Sequence, residues 1–258
     1  MAGTDSSRGG DFDPAAPVVI LDRPQMGENI GFAARAMANG GLSRMRLVAP
    51  RDGWPNPKAQ AASAGADIVI DGVAVFARIE DAVADLERVF ATTARPRDQI
   101  KPVMTPRAAA AEMRALAAAG RKVGILFGAE RAGLDNDAIA LADTVVTVPL
   151  NPAFSSLNLA QAVQILSYEW FQAADATPPA ILAEGTTRPA TKAEMLNFFE
   201  RLEAALDVSG FMHVREKRPI MVRNLRNIFQ RMHPTEQELR TLHGVVTALL
   251  RHREPPDA

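Results

Sequence analysis

Short apolar runs alternate with helical stretches over the first two thirds of this 258-residue chain, and this alternation restricts the possible folds more than any other feature. Runs typical of buried strands lie at 17–21, 45–50, 67–70, 88–93, 122–127 and 144–150. Helices are predicted around them, at 29–40, 58–66, 78–87, 105–120, 135–142 and 155–172. Apolar strands that alternate with helices are typical of a parallel sheet covered on both sides. The sequence therefore predicts an α/β fold, with a parallel sheet and helices on both of its faces.

A change in composition divides the chain into segments. Residues 173–190 are rich in proline, alanine, threonine and glycine, which is typical of a linker. The chain begins with small, polar and acidic residues, which indicate a loose tail. We therefore predict four segments: a disordered tail over 1–15, an α/β domain over 16–172, a linker over 173–190 and a helical domain over 191–258.

The C-terminal segment has the features of a small helical domain. A Thr-x-x-Glu capping box at 191–194 opens its first helix, a second helix is predicted at 218–231, and another capping box at 235–238 opens the last helix. The first helix is expected to place four apolar side chains on one face: Leu196, Phe199, Leu202 and Leu206. A segment of roughly 65 residues is near the lower size for an independent core, so we expect it to pack on the first domain or on a partner subunit.

The composition excludes several kinds of site. The chain has no cysteine, which rules out disulfides, thiolate catalysis and cysteine-ligated zinc. Its four histidines have no metal-ligand spacing, so no metal is expected. The net charge of −1 gives no overall basic field, so a nucleic-acid partner would need a local basic patch. Because no apolar run is long enough to span a membrane, we expect a soluble cytoplasmic protein with no membrane partner.

A glycine-bearing loop, LFGAERAGLDN at 126–136, follows the predicted strand at 122–127. It lacks the lysine and the serine or threonine of a Walker A loop, and it lacks the spacing of a dinucleotide fingerprint. The carboxylate of Glu130 disfavours bound phosphates and is compatible with a neutral or cationic ligand. Taken alone, the loop is better explained as a tight turn that needs Gly128 and Gly133.

The helix start GENIGFAARAM at 27–37 combines small residues with one arginine. Gly31, Ala33 and Ala34 allow a backbone or a substrate to approach closely. Arg35 is either simply exposed, which is the usual case, or directed at an anion.

The stretch NPAFSSLNLAQ at 151–161 contains the start of the long helix predicted at 155–172. Ser155 or Ser156 is the expected N-cap, because a serine hydroxyl accepts a hydrogen bond from the first helical turn. Asn158 is then expected inside that turn, where asparagine is a poor helix former. The capping of a helix accounts for only part of this Ser-Ser-Leu-Asn combination.

A basic loop follows the predicted strand at 88–93. Within thirteen residues it carries four cationic side chains: Arg95, Arg97, Lys101 and Arg107. A solvated loop is the simplest explanation. A long loop after a strand of a parallel sheet is also a common ligand-binding position.

Three of these stretches together resemble the motifs of the SPOUT class of RNA methyltransferases, in particular the TrmH-like branch that methylates ribose 2′-oxygens. They are ENIGFAARAM (28–37), LFGAERAGL (126–134) and VPLNPAFSSLNLAQAVQILSYE (148–169), in the family's order and spacing. The resemblance covers roughly 16–172. The helical tail contains RLEAALDVSGF (201–211) and the basic stretch VRNLRNIFQRMHPTEQELRTLHGVV (222–246). In these stretches it resembles the TrmJ type, a subgroup that methylates the ribose of cytidine or uridine 32 in the tRNA anticodon loop.

The resemblance implies a fold, a cofactor and an assembly. It implies a deep trefoil knot in the sheet, which is rare among proteins, and homodimers in which each active site is completed by the other subunit. It implies that S-adenosylmethionine binds to Thr92, Thr93, Ala94, Gly128, Val148, Leu150, Ser156, Leu157 and Asn158. It implies catalysis by Arg35, with Asn29, Glu130 and Ser156 as helpers. Whether Glu130 contacts the cofactor or only braces its loop stays open at this point.

The implied reaction is an in-line attack of a ribose 2′-oxygen on a sulfonium methyl group, with loss of the hydroxyl proton. Arginine stays protonated and is a poor base, so we expect Arg35 to hold an RNA phosphate and stabilise the developing alkoxide. A phosphate oxygen could then accept the proton.

RNA affinity is expected from phosphate contacts by basic side chains. The candidates are Arg95, Arg97, Lys101, Arg107, Arg215, Lys217, Arg218, Arg223, Arg226 and Arg231. A solvated helix surface is the alternative for those in the tail. For the whole chain, the alternatives are a ribosomal RNA methyltransferase, a catalytically inactive RNA-binding relative and, from the strand pattern alone, a nucleotide-binding kinase or hydrolase.

Overall fold

The computed structural model describes residues 12–93, 99–179 and 186–251. The chain divides into two units, Met1–Thr177 and Pro178–Ala258. The strands described in the first unit are β1 (Val18–Asp22), β2 (Met45–Val48), β3 (Ala74–Phe76), β4 (Arg88–Thr92), β5 (Val103–Met104), β6 (Val123–Phe127) and β7 (Thr144–Val146). Its helices are α1 (Gly27–Asn39), α2 (Pro57–Ala62), α3 (Asp67–Ile70), α4 (Ile79–Val83), α5 (Pro106–Ala118), α6 (Asn136–Ala140) and α7 (Leu159–Gln172).

The strands form one sheet in the order β3-β2-β1-β6-β4-β7-β5, and every neighbouring pair is parallel. The central strands β1 and β6 are buried along their whole length. Successive side chains of β1 point to opposite faces: Val19 packs with α1, α5 and α7, whereas Ile20 packs with α4 and α6. Both faces of the sheet are therefore covered, and the predicted α/β fold is confirmed.

The last strand in the sequence, β7, lies in the sheet between two strands that precede it in the chain. β7 pairs with β4 on one side and with the edge strand β5 on the other. The carboxyl ends of β4, β6 and β7 consequently lie side by side at one edge of the sheet. The knot implied by the resemblance is compatible with this strand order.

One predicted strand is wrong, and two strands of the sheet were not predicted. Residues 67–70, predicted as a strand, form the short helix α3, whose Val69 and Ile70 are buried. An apolar run as short as Ile68–Ile70 does not distinguish a buried helical turn from a strand, which explains the error. The edge strands β3 and β5 were not predicted, because they have three and two residues and little apolar pattern.

Helix α1 packs closely on its neighbours through its small residues. A Cβ atom added to Gly31 would lie 2.2 Å from the carbonyl oxygen of Ala59 in α2. Ala33 and Ala34 are fully buried in the core. The close approach predicted for these residues therefore serves the packing of helices within the unit.

The second unit contains the helices α8 (Lys192–Val208), α9 (Arg218–Met232) and α10 (Glu236–Arg251), with a 3-10 turn at Arg215–Lys217. Both predicted capping boxes are confirmed: Thr191 and Glu194 exchange hydrogen bonds at the start of α8, and Thr235 and Glu238 do so at the start of α10. The buried core residues are Met195, Phe198, Phe199, Leu239 and Val246.

The apolar face predicted for the first tail helix is only partly right. Phe199 is buried and Leu202 packs against the core, but Leu196 is 49% exposed. Met195 and Phe198 are buried in its place, and the ring of Phe229 meets that of Phe198 edge to face at 5.0 Å.

Candidate active site

A cavity of about 270 Å³ opens where the loops after β4, β6 and β7 meet. These loops converge because the carboxyl ends of parallel strands lie at one edge of the sheet, the usual ligand-binding edge of such folds. The lining residues are Thr92, Thr93, Phe127, Gly128, Ala129, Glu130, Arg131, Ala132, Gly133, Val146, Val148, Leu150, Ser155, Ser156, Leu157, Leu159 and Ala162.

Most of the residues implied to bind the cofactor line this cavity. They are Thr92, Thr93, Gly128, Val148, Leu150, Ser156 and Leu157. Asn158 is not among the lining residues, and Ala94 lies outside the described residues. Two further polar lining residues, Arg131 and Ser155, were not predicted as site residues, although each is the direct neighbour of one that was.

The loop after β6 folds back on itself and needs its glycines. The N–H of Gly133 donates to the carbonyl oxygen of Ala129 at 2.8 Å, and Gly133 has φ +66°. A Cβ atom on Gly128 would lie 2.2 Å from the backbone of Gly133, closer than any real contact. The predicted tight turn therefore exists, and it also forms one wall of the cavity.

The carboxylate of Glu130 is occupied by donors from the start of α1. It accepts hydrogen bonds from the backbone N–H groups of Gln25 at 2.9 Å and Met26 at 3.2 Å, and from Nδ2 of Asn29 at 3.0 Å. A negative charge beside the first turn of a helix is also favourable for the helix dipole. These contacts show that Glu130 braces its loop against α1.

Asn29 links this brace to the third motif. Its Oδ1 accepts a hydrogen bond from Nδ2 of Asn158 at 3.0 Å. Oδ1 of Asn158 in turn accepts from the N–H of Ala160 at 2.8 Å, and the N–H of Asn158 donates to Gln161 at 3.0 Å. The three motifs thus meet in one chain of hydrogen bonds from Glu130 through Asn29 to Asn158.

These contacts correct the predicted start of α7. Asn158 is the N-cap, in a capping box with Gln161, and the helix begins at Leu159. Ser155 and Ser156 do not cap the helix; both are exposed and line the cavity. The predicted cap lies too early because the chain from 151 to 158 stays outside the helix, so that the serines face the cavity.

Arg35 does not line the cavity of its own chain. It lies six residues beyond Asn29, which places its side chain about 240° around α1 from the side chain that contacts Glu130. Arg35 is exposed, and no described residue forms an ion pair or hydrogen bond with its guanidinium. It shares this outer face of α1 with Phe32, which is 50% exposed.

In the first unit, the basic side chains proposed for RNA binding differ from one another in their contacts. Arg95 and Arg97 lie outside the described residues. Nζ of Lys101 donates to the carbonyl oxygens of Ala140 and Ala142, at the end of α6. Arg107 is exposed and pairs with Glu169 at 3.3 Å.

In the second unit, Arg226 donates to both carboxylate oxygens of Glu203, at 2.7 and 3.1 Å, so its guanidinium is engaged within the unit. Arg223 is exposed and donates only to the carbonyl oxygen of Pro219, at 3.2 Å. Of the two, Arg223 is the more available for a phosphate.

Across the described ranges, no group of three side chains is arranged to hold a metal ion. None of the helices described in either unit is both long and apolar enough to cross a membrane.

Comparison with protein families assigns both units. Residues 16–168 match the SpoU rRNA Methylase family, and residues 193–258 match the C-terminal domain of the tRNA methyltransferase TrmJ. Among curated proteins, a TrmJ of Sodalis glossinidius named tRNA (cytidine/uridine-2′-O-)-methyltransferase is 37% identical over 93% of this chain and 92% of its own length. A Yersinia pestis protein of the same name is 35% identical over 93% of each chain.

Solved structures give the same relationship. The crystal structure of TrmJ from Z. mobilis is 47% identical, with a TM-score of 0.79 over 91% of this chain and 99% of that one. A probable methylase family protein from Haemophilus influenzae is 29% identical, with a TM-score of 0.57 over 92% and 97% of the two chains.

Proposed function

The chain belongs to the SpoU methylase family, and from this membership we propose that it transfers a methyl group from S-adenosylmethionine to a ribose 2′-oxygen of tRNA. The nucleotide is cytidine or uridine 32 of the anticodon loop. The observation that carries the proposal is that relatives named tRNA (cytidine/uridine-2′-O-)-methyltransferase align with 93% of the chain, so that both units are included. Position 32 rests on the resemblance of the tail to the TrmJ type.

The cavity fits the proposed cofactor in its chemistry. Val148, Leu150 and Leu157 supply apolar surface for a flat purine, and Ser155 and Ser156 supply hydroxyl groups for the polar parts. Among the described lining residues the one carboxylate, on Glu130, is already paired with donors at the start of α1, so it does not repel the cofactor's own carboxylate at full strength. When bound there, the cofactor supplies a methyl group activated by a sulfonium.

The chain's own residues then have positional roles. The link from Glu130 through Asn29 to Asn158 fixes the second and third loops on α1, and so fixes the shape of the cavity. We assign these three residues to positioning. Ser156, exposed beside the cavity, is placed to contact the cofactor or the ribose.

Arg35 is the proposed catalytic cation, and its location supports a proposed role for a second copy of the chain. Its guanidinium is free for an RNA phosphate and can stabilise the negative charge that develops on the 2′-oxygen. A phosphate oxygen is the proposed proton acceptor. Because Arg35 faces away from its own cavity, we place it at the cavity of the other subunit of a homodimer.

Exposed apolar side chains on α1 and α7 support this dimer. Phe32, Tyr168 and Phe171 are 50%, 53% and 46% exposed, on two helices that pack against each other. Aromatic groups of this kind are enriched at subunit interfaces. Their burial between two copies would also place Arg35, on the same face as Phe32, in the interface.

Transfer RNA is favoured over ribosomal RNA by the second unit. The family matched by the first unit is described as one of rRNA methylases, whereas the second unit matches a domain of a tRNA methyltransferase. As an enzyme of tRNA, the protein is proposed to act in the cytoplasm.

Labelled-methyl transfer tests the proposal. Purified protein is incubated with labelled S-adenosylmethionine and, separately, with tRNA or ribosomal RNA from a strain that lacks the gene. Label is expected in tRNA alone, and mass spectrometry of nuclease fragments is expected to place it at nucleotide 32. Label in ribosomal RNA only would refute the choice of substrate, and no transfer to either would indicate an inactive relative.

A further inference from the structure

The solvent-exposed face of α9 carries residues whose presence is not explained by a contribution to helix stability. Ile220, Asn224, Asn227 and Arg231 follow a spacing of four, three and four residues, which places them on one face, and all four are exposed. The opposite face carries Phe229, which packs on the core of the unit. Asparagine is a poor helix former at exposed positions, so two of them in mid-helix indicate a role other than stability.

The same face forms an open cleft with unused polar groups. Its lining residues are Asn224, Asn227, Ile228, Gln230, Arg231 and His233. Within the described part of the chain, none of these side chains forms a hydrogen bond or an ion pair. The cleft therefore presents amide donors and acceptors, a guanidinium and an apolar side chain together.

The four arginines of α9 fall into two groups, and the helix contains no acidic residue to neutralise them. Arg218 donates to Asp207 of α8 at 2.6 Å, and Arg226 donates to Glu203 at 2.7 Å. Those two arginines hold α9 on α8. Arg223 and Arg231 have no carboxylate partner among the described residues, so the positive charge of the helix is directed to the solvent face.

We propose that this face of α9, together with the adjacent exposed Arg223, binds a single-stranded loop of RNA, with Arg223 and Arg231 on phosphates and Asn224 and Asn227 on base edges. Guanidinium groups match phosphate oxygens, and carboxamides match the paired donor and acceptor of a base. Only unpaired bases expose those edges fully, which selects a loop over a duplex. That the RNA is a tRNA rests on the proposed function.

The test is the affinity of the full-length protein for tRNA, measured by fluorescence anisotropy at several salt concentrations. Arg231→Ala is expected to weaken binding about tenfold and to lower the slope of log affinity against log salt by about 0.7, the value for one single-strand phosphate contact. Arg223→Ala is expected to act in the same way. The double variant Asn224→Ala/Asn227→Ala is expected to weaken binding about fivefold with an unchanged slope, because a base contact releases no counterion.

Two variants on α10 serve as matched controls. Arg240→Ala removes an exposed arginine that is already paired with Glu236, and Gln237→Ala removes an exposed amide. Both are expected to bind tRNA as the unmodified protein does. Thermal unfolding of each variant checks that the unit still folds, and Arg231→Lys is expected to keep the salt slope.

Normal tRNA affinity in the three α9 variants would overturn the inference. So would a change in oligomeric state with unchanged tRNA affinity, which would identify the face as a protein contact. The proposed function is tested apart from this, by methyl transfer with the unmodified protein. Transfer together with unaffected variants would reject only the α9 face, whereas weakened variants without transfer would reject only the activity.

Discussion

Replacing Glu130 with alanine separates a bracing residue from one that contacts the cofactor. The carboxylate accepts hydrogen bonds from three donors, on Gln25, Met26 and Asn29. Hydrogen bonds to a charged group contribute about 1.5–3 kcal/mol each, and water can replace part of them at this half-buried site. We therefore expect Glu130→Ala to destabilise the first unit by about 2–4 kcal/mol.

A loss of this size is measurable by calorimetry as a lower unfolding temperature. For a unit of this length it corresponds to about 5–15 °C. Glu130→Gln, which keeps one acceptor oxygen, should fall between the alanine variant and the unmodified protein. Glu80→Ala, which removes a surface carboxylate paired with Arg78, serves as the control and should have little effect.

Cofactor affinity completes the test. Because the carboxylate is directed at α1, the folded Glu130→Ala variant should bind S-adenosylmethionine within about tenfold of the unmodified protein, as measured by titration calorimetry below its unfolding temperature. An unchanged unfolding temperature combined with lost cofactor binding would refute the bracing role and assign the carboxylate to the ligand.

Three further predictions concern the dimer, the cap of α7 and the helical unit. Arg35→Ala and Gly128→Ala are each expected to abolish methyl transfer. When the two variants are mixed in equal amounts and refolded together, about one quarter of the activity should return, because half of the dimers then carry one intact composite site. No recovery would mean that Arg35 acts within its own chain. Asn158→Ala should lower the free energy of unfolding, measured with denaturant, by about 1–2 kcal/mol because the N-cap is lost. Ser156→Ala should lower it less, because Ser156 does not cap the helix. The reverse order would contradict the assigned cap. The neighbouring arginine and the capping box lower the pKa of Glu194 from 4.5 to about 2, so its stabilisation of α8 should be complete above pH 4.5 and lost as the pH falls toward 2. Hydrogen exchange of α8 between pH 5 and pH 3 should show this loss, and Glu194→Gln should reduce it.

The parts of the fold that were predictable from sequence are those with a strong local pattern. β1 and β6 are buried at every position and carry no polar side chain except Asp22, because both faces of the sheet are covered, and the capping boxes of α8 and α10 lie within four residues. β5 has two residues and gains its place in the sheet only by pairing with β7. No local pattern encodes such a pairing.

The candidate site can be divided in the same way, into features that a local sequence pattern predicts and features that depend on contacts between distant residues. Its cavity loops were identified because three motifs, each recognisable locally, resemble those of one family. The role of Glu130 was not decided by sequence, because its partners lie about a hundred residues earlier in the chain. The start of α7 was misplaced because Ser155, Ser156 and Asn158 can each cap a helix, and the contact with Asn29 and the capping box with Gln161 select Asn158. That Arg35 faces away from its own cavity likewise depends on how α1 packs in the folded unit.

The most direct test of the account is the chemical identity of the methylated nucleotide. Unmodified tRNA is incubated with the purified protein and S-adenosylmethionine, digested, and analysed by mass spectrometry for 2′-O-methylcytidine and 2′-O-methyluridine. The account predicts a ribose methyl at nucleotide 32, formed by the unmodified protein and absent with Arg35→Ala. A methyl group on a base, or full ribose methylation by Arg35→Ala at saturating tRNA, would contradict it.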